Sequence, residues 1–198
     1  KDDPNIKFTA FQRINTGSIV LNQQEIRNCI YGGKLNDLLF KLNETLEWRQ
    51  LLARKADKRM KDVETILRFF AAHFDDNNYE KPVTAFLNNF MDREKNITSD
   101  ISKEWEQLFT GTLSTIIKNV GKDFPRTSKS KTFNRAVFES VMTAVARLKL
   151  KKGFKSSELK GKYIKLINDS DYLGSVTSQT SDKKNYKNRI DIAIKILS

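Results

Sequence analysis

Eight residues near the start of the chain have types and spacing suited to holding an anion: Arg13, Asn15, Thr16, Gly17, Gln24, Glu25, Arg27 and Asn28. They lie in FQRINTGSIVLNQQEIRNCI, residues 11–30. Phe8, Phe11 and Ile14 recur at i, i+3 and i+6 and predict a helix entering the stretch. Asn15, Thr16 and Gly17 should end it, because Gly and Asn tolerate a left-handed terminus. Residues 18–21 read as a short extended link. Asn22 followed three residues later by Glu25 is a capping-box variant that restarts a helix to about Tyr31, before Gly32 and Gly33. A glycine turn beside a helix N-terminus, flanked by Arg13 and Arg27, offers N–H donors and positive charge to a phosphate. The same side chains also suit a tight joint in which they satisfy one another and the backbone, and capping alone accounts for Asn15, Asn22 and Glu25. Both readings stand on the residues alone.

Other chemistry is easier to exclude. His73 is the single histidine and Cys29 the single cysteine, so neither a Cys/His zinc site nor an internal disulfide can form. A Ser-His-Asp arrangement has only His73 to draw on, and Ala72 and Phe74 place that residue in a helical stripe. The chain has no G-x-x-x-x-G-K-(S/T) phosphate loop and cannot build an HNH nuclease centre. Asp75-Asp76 and Asp169-Ser170-Asp171 could touch Mg²⁺, yet such acids in loops are usually caps and turns. No metal site is expected.

Charge is distributed unevenly. The 198 residues carry a net charge of +12, and the balance changes along the chain. Residues 1–117 hold 17 basic and 17 acidic side chains, residues 118–165 hold 14 and 3, and residues 166–198 hold 5 and 4, so one stretch carries the excess. Its densest part is Arg147, Lys149, Lys151, Lys152, Lys155, Lys160, Lys162 and Lys165. A polyanion such as DNA is the natural partner, through counterion release. A solvated helix face has the same composition, and Gly153, Phe154 and Tyr163 offer only weak stacking potential.

With 38% hydrophobic residues the chain can bury a core, and its length permits one domain or at most two. No apolar run approaches the roughly 18 residues of a membrane span, and no signal-peptide pattern occurs, so a cytoplasmic protein is expected.

The elements that must position these residues read as helices. Leu35, Leu38, Leu39 and Leu42 form one stripe, and Val63, Ile66, Leu67, Phe70 and Phe74 another. Pro82 suits the first turn of a helix carrying Phe86, Leu87 and Phe90. A long helix starts at Thr98 or Ser99, and Gly111 inside it allows a close crossing or marks a kink. Residues 121–131 are the main loop. Val137, Phe138, Val141, Met142, Val145 and Leu148 stripe the next helix. A shorter one spans Ser156 or Ser157 to Asn168, residues 175–181 are polar, and a last helix begins near Asp182. The expected fold is all-α: an irregular bundle of about 8–10 helices, with a first subunit over 1–120 and a basic second one over 121–198 packed on it, or one domain over 1–198.

The words FQRINTGSIVLNQQEIRNCIYGG, DVETILRFFAAHF, FLNNFM, FNRAVFESVM and TSDKKNYKNRIDIAIKIL occur here in that order. Together they resemble a bacterial domain-of-unknown-function family that includes the N-terminal, ParB-like domain of the GmrSD type IV restriction enzymes. The first word is similar to that family's F-x-R-(I/L)-N-T-G…L-N-x-Q-E-(I/L)-R-N signature. The resemblance implies the C-terminal helical part of a nucleotide-hydrolysing protein of a restriction or phage-defence system. Arg13 and Asn15 would approach the nucleotide, and Gln24, Glu25, Arg27 and Asn28 would hold the joint. Family members carry an upstream D-G-Q-Q-R motif on a small α/β unit. That motif is absent here, where the chain opens Lys1-Asp2-Asp3-Pro4. The implied partner is therefore that missing α/β part, with a nucleoside triphosphate and Mg²⁺ belonging to the longer parent and no cofactor held by this stretch alone. DNA and a second copy of the chain are further candidate partners, and a purely helical binding module is the competing reading.

Overall fold

A computed structural model describes residues 3–17, 20–53, 55–127, 130 and 132–198. Among them the chain is all-helical, with eleven α-helices, two 3-10 turns and no strand. The first two, α1 (Pro4–Ile14) and α2 (Gln23–Ile30), bracket the glycine corner, whose Ser18 and Ile19 lie outside the described residues along with Lys1 and Asp2. Pro4 opens α1 behind the cap Asp3, whose carboxylate accepts from the Asn5 backbone at 2.9 Å. Next come α3 (Lys34–Asn43), α4 (Leu46–Leu52), α5 (Lys61–Asp75), α6 (Val83–Glu94) and α7 (Ser99–Asn119). After the long loop, of which Ser128, Lys129 and Lys131 are not described, follow α8 (Arg135–Lys149), α9 (Leu159–Leu166), α10 (Ser170–Thr177) and α11 (Lys183–Leu197).

The hub is α8. Twelve of its fifteen residues are buried, so it has no solvent face for most of its length and must be enclosed on every side. It packs against α5, α7, α10 and α11. Trp48 from α4 seals one end, its ring 5.1 Å from Phe138 and 5.9 Å from Phe109, with its N–H donated to the Asn43 side chain at 3.0 Å. The hydrophobic core runs without a break across residue 121, joining Ile116 and Phe124 to Phe138 and Val141.

Several sequence expectations shift. Pro82 is the N-cap of α6 and stands outside its first turn. Gly111 lies where α7 and α8 cross: the Lys149 ammonium donates to its carbonyl at 2.9 Å, and a Cβ there would sit 3.5 Å from that nitrogen. The helix expected from Ser156 to Asn168 is a 3-10 turn, Ser156–Glu158, followed by α9. Helix α10 has no apolar stripe of its own to announce it. It forms because Asp169 caps the Tyr172 N–H at 2.7 Å and the buried Tyr172 hydroxyl reaches Ser140 of α8 at 2.8 Å. Gly33 precedes α3 at a contact only glycine allows, because a Cβ there would collide with the Lys95 carbonyl that accepts from Leu35 N–H.

Candidate functional site

At the glycine corner the donors that a phosphate would use are already occupied. The Asn22 side chain accepts from the N–H groups of Gln24 and Glu25 at 2.9 and 3.1 Å, and the Glu25 carboxylate accepts from Asn22 N–H at 2.6 Å. The N-terminus of α2 therefore holds its own negative charge. Asn15 staples the corner shut: its amide donates to the Leu21 carbonyl at 3.0 Å and its oxygen accepts from Leu21 N–H at 3.2 Å. Thr16 reaches only back to Ile14, and Gly17 faces open space.

Arg27 lies inside the protein, 0% exposed. It donates to Gln24 at 2.9 Å, to Glu64 of α5 at 2.6 Å and to Asn88 of α6 at 3.4 Å. Burial pulls its guanidinium down to about 10, while Glu64 opposes that fall, so it remains charged at neutral pH. Asn28 donates to the Met60 sulfur. Of the eight motif residues, Arg13 is the long cation left outside. It rims a cavity of about 310 Å³ along α1, beside Ile6, Thr9 and Ala10. That helix buries only Phe8, and Ile6 and Ile14 are 64% and 78% exposed.

The basic stretch divides in two. Arg147 is a structural staple, donating to the carbonyls of Ala72 and His73 and to the Asp76 carboxylate at 2.8–2.9 Å, where it closes the C-terminus of α5. Lys149 is tied to Gly111, and desolvation lowers its pKa. Lys162 pairs with Glu158 at 3.1 Å, and its hydrogen bond to that carboxylate holds Glu158 below its usual range; Lys162 also donates to the Ser198 carbonyl. Lys155 stands 3.7 Å from the same carboxylate. Lys151, Lys152, Lys155, Lys160 and Lys165 are exposed from the end of α8 through α9. The weak stacking potential has little to draw on: Tyr163 is buried with its hydroxyl on the Phe124 carbonyl at 2.5 Å, and Phe154 is half-buried against the core.

The other candidates are absorbed by structure. His73 lies edge-on to Phe74 at 4.7 Å, and burial, helped by Arg147, lowers its pKa to about 4. Asp75 pairs with Arg93, Asp76 with Arg147, and Asp169 caps α10. Among the described residues no group of three or more His, Cys, Asp or Glu could hold a metal, and no helix is long and apolar enough to cross a membrane.

A second polar site, absent from the sequence reading, lies where α2, α5, α8 and α11 meet. Glu64 faces three arginines: Arg27 at 2.6 Å, Arg68 at 3.1 Å and Arg135 at 3.8 Å. Burial raises its carboxyl, but the arginines, Arg68 foremost, outweigh burial and hold it below its ordinary value. Beside it Arg189 donates to Glu139 at 2.6 Å and to the Thr180 carbonyl at 2.5 Å, with its guanidinium 4.7 Å over the Tyr186 ring. Two cavities open here and share Arg135. One of about 160 Å³ is lined by Arg68, Arg135, Glu139, Thr180, Ser181 and Arg189; the other, of about 190 Å³, by Gln24, Arg59, Lys61, Glu64 and Arg135. The signal was present: Glu64/Arg68 and Arg135/Glu139 are opposite charges at i, i+4 on α5 and α8. Comparison of the chain with protein-family models, with curated proteins and with solved structures finds no match.

Proposed function

We propose that this chain is the helical portion of a ParB-like nucleotide-hydrolysing protein of a bacterial restriction or phage-defence system, with α1 turned toward an α/β part that carries the reacting phosphates. The observation that supports this reading is the outer side of α1. A helix that buries one residue, leaves Ile6 and Ile14 in solvent and holds Arg13 beside a groove is built to be covered. An arginine at such a seam can place a guanidinium on a phosphate oxygen bidentately. The rest of the motif fixes α1 in place. Tyr31 donates to the Pro4 carbonyl at 2.7 Å, and Asn88, which also contacts Arg27, donates to Asn5 at 3.1 Å.

The test is nucleoside-triphosphate turnover with Mg²⁺ in a protein carrying both this chain and a D-G-Q-Q-R-bearing α/β part. Arg13→Ala should lower turnover by roughly 100-fold or more, the scale for losing one charge-stabilising donor. The far-UV circular dichroism should not change. Unchanged turnover overturns the reading, as does hydrolysis by this chain alone.

A second reading, a helical module that grips DNA or RNA, is favoured by the exposed Lys151, Lys152, Lys155, Lys160 and Lys165. Exposed cations clustered over one stretch of chain are the electrostatic footprint that a polyanion partner would use.

A further inference from the structure

From Lys149 to Lys165 the chain carries seven lysines and a single acid, Glu158. That acid lies between two of the lysines. One carboxylate oxygen is 3.1 Å from the Lys162 ammonium, and the other is 3.7 Å from that of Lys155. Glu158 stands at the N-cap of α9 yet makes no capping hydrogen bond, and its side chain is 48% exposed. Exposed ion pairs add little to folding, so the consequence of this arrangement is to be sought in binding.

The two lysines are held differently. Lys162 is 27% exposed and also donates to the Ser198 carbonyl, which positions its ammonium without exhausting it, because an ammonium has three donors. Lys155 is 71% exposed. A phosphodiester, like a carboxylate, carries one negative charge on two oxygens, so it can take the place Glu158 now fills between two ammonium groups. The hydrogen bond from Lys162 keeps the Glu158 carboxyl below its usual range, so the internal competitor is ionised at neutral pH.

We propose that Lys155 and Lys162 form a clamp for one phosphodiester of a nucleic-acid backbone, and that Glu158 keeps the clamp closed until a phosphate displaces it. This rests on the second reading above, the helical module that grips DNA or RNA, and gives that reading a contact point and an autoinhibitory acid. Lys151, Lys152, Lys160 and Lys165, exposed on the flanking chain, add charge toward further phosphates.

The experiment measures anisotropy of a labelled duplex DNA and, in parallel, of a single-stranded RNA of equal length. Glu158→Gln should tighten binding by about twofold to tenfold, the scale of two exposed ion pairs that no longer compete. Asp100→Asn adds the same net charge at the far end of α7, about 30 Å along the helix from Val120, which shares a cavity wall with Tyr163 and Ile167 of the α9 segment. That distance exceeds the screening length of about 8 Å, so affinity should barely change. With Lys155→Ala and Lys162→Ala in place, Glu158→Gln should gain no more than Asp100→Asn does. In the unaltered protein, saturating nucleic acid should raise the titration midpoint of the Glu158 carboxyl carbon signal as the lysines leave it. Tighter binding of the DNA marks a duplex backbone, and tighter binding of the RNA a single-stranded one. If the parent binds but Glu158→Gln gains no more than Asp100→Asn, or keeps its gain without the two lysines, the clamp is overturned and the nucleic-acid reading survives. Should the double lysine variant not bind at all, a Glu158 titration that ignores saturating nucleic acid overturns the clamp equally. If neither the parent nor Glu158→Gln binds either strand at about 50 mM salt, both fall.

Discussion

The arginines of the inner cleft and the lysines at the end of α8 and along α9 are both positive, and they do opposite things. The lysines lie close together in the chain, within the stretch 118–165 that carries most of the net charge, and Lys151, Lys152, Lys160 and Lys165 stand in solvent. The arginines come from four separate helices, add little to any local charge count, and converge on two carboxylates. Composition therefore located mostly exposed charge, Arg147 excepted, and missed the set that converges inside. The chemistry of the two side chains fits this division: guanidinium is weakly hydrated and matches carboxylates in a fixed fork, whereas ammonium keeps its water.

The sharpest way to break this contrast is to remove Glu64. Glu64→Ala leaves Arg27, Arg68 and Arg135 facing one another without their shared counter-charge. Stability should fall by about 3–5 kcal/mol, as when one partner of a buried ionic group is deleted. Equilibrium urea unfolding measures it. The counterpart outside is Glu158→Ala, which removes the carboxylate paired with Lys155 and Lys162 at the surface and should leave the denaturation midpoint where it was. Equal losses at the two glutamates would erase the distinction.

Arg147 belongs by sequence to the lysine group and by structure to the arginine group, so it sharpens the comparison. Arg147→Ala frees the last carbonyls of α5 and the Asp76 carboxylate. A loss of about 1.5–3 kcal/mol is expected, the worth of hydrogen bonds to a charged group. If the change is neutral, Arg147 is a surface cation like its neighbours.

Acid should act on the interior and spare the lysines. The His73 pKa is depressed from 6.5 to about 4 in the folded protein, so the unfolded chain binds the proton first. Stability should therefore decline as pH falls from about 6.5 toward 4, and His73→Gln should flatten that window. Glu64, also depressed, contributes stability that is present above the ordinary carboxylate range and is lost as pH falls through its lower folded value. Its loss adds to the decline at the acid end, where His73→Gln leaves it intact.

What the chain discloses on reading follows from how local each interaction is. Apolar spacing identified α5 and α8, and the cap at Asn22 was legible because its partners lie within three residues. The enclosure of α8 was less legible, since a stripe predicts one buried face and here Glu139, Ser140 and Thr143 are buried as well. Asn15 and Glu25 suited both an anion-holding turn and a self-satisfying joint, and each is hydrogen-bonded within the corner. The destination of Arg27 could not be read, because Glu64 and Asn88 lie 37 and 61 residues away. Arg189 and Glu139 are 50 residues apart. Two arginines can carry the same local pattern and end inside or outside according to partners that only the tertiary fold supplies.

The smallest effect on the fold, and the one that tests the outer half of the contrast, is reversal of the exposed lysines. Lys151→Glu, Lys152→Glu and Lys155→Glu together should move the unfolding midpoint little, because surface substitutions away from packed or capped positions stay within about 0.5 kcal/mol each. Their effect should appear in binding. If this end of α8 meets a polyanion, affinity for duplex DNA falls steeply with salt, by about 0.9 logarithmic units per tenfold salt for every phosphate contacted. The triple variant should bind more weakly and with a shallower slope. Glu64→Gln, which leaves these lysines in place, should not alter that slope where the protein remains folded. Fluorescence anisotropy across a salt series reads both. Binding that is insensitive to salt and to the lysine reversals would leave these side chains as a solvated face.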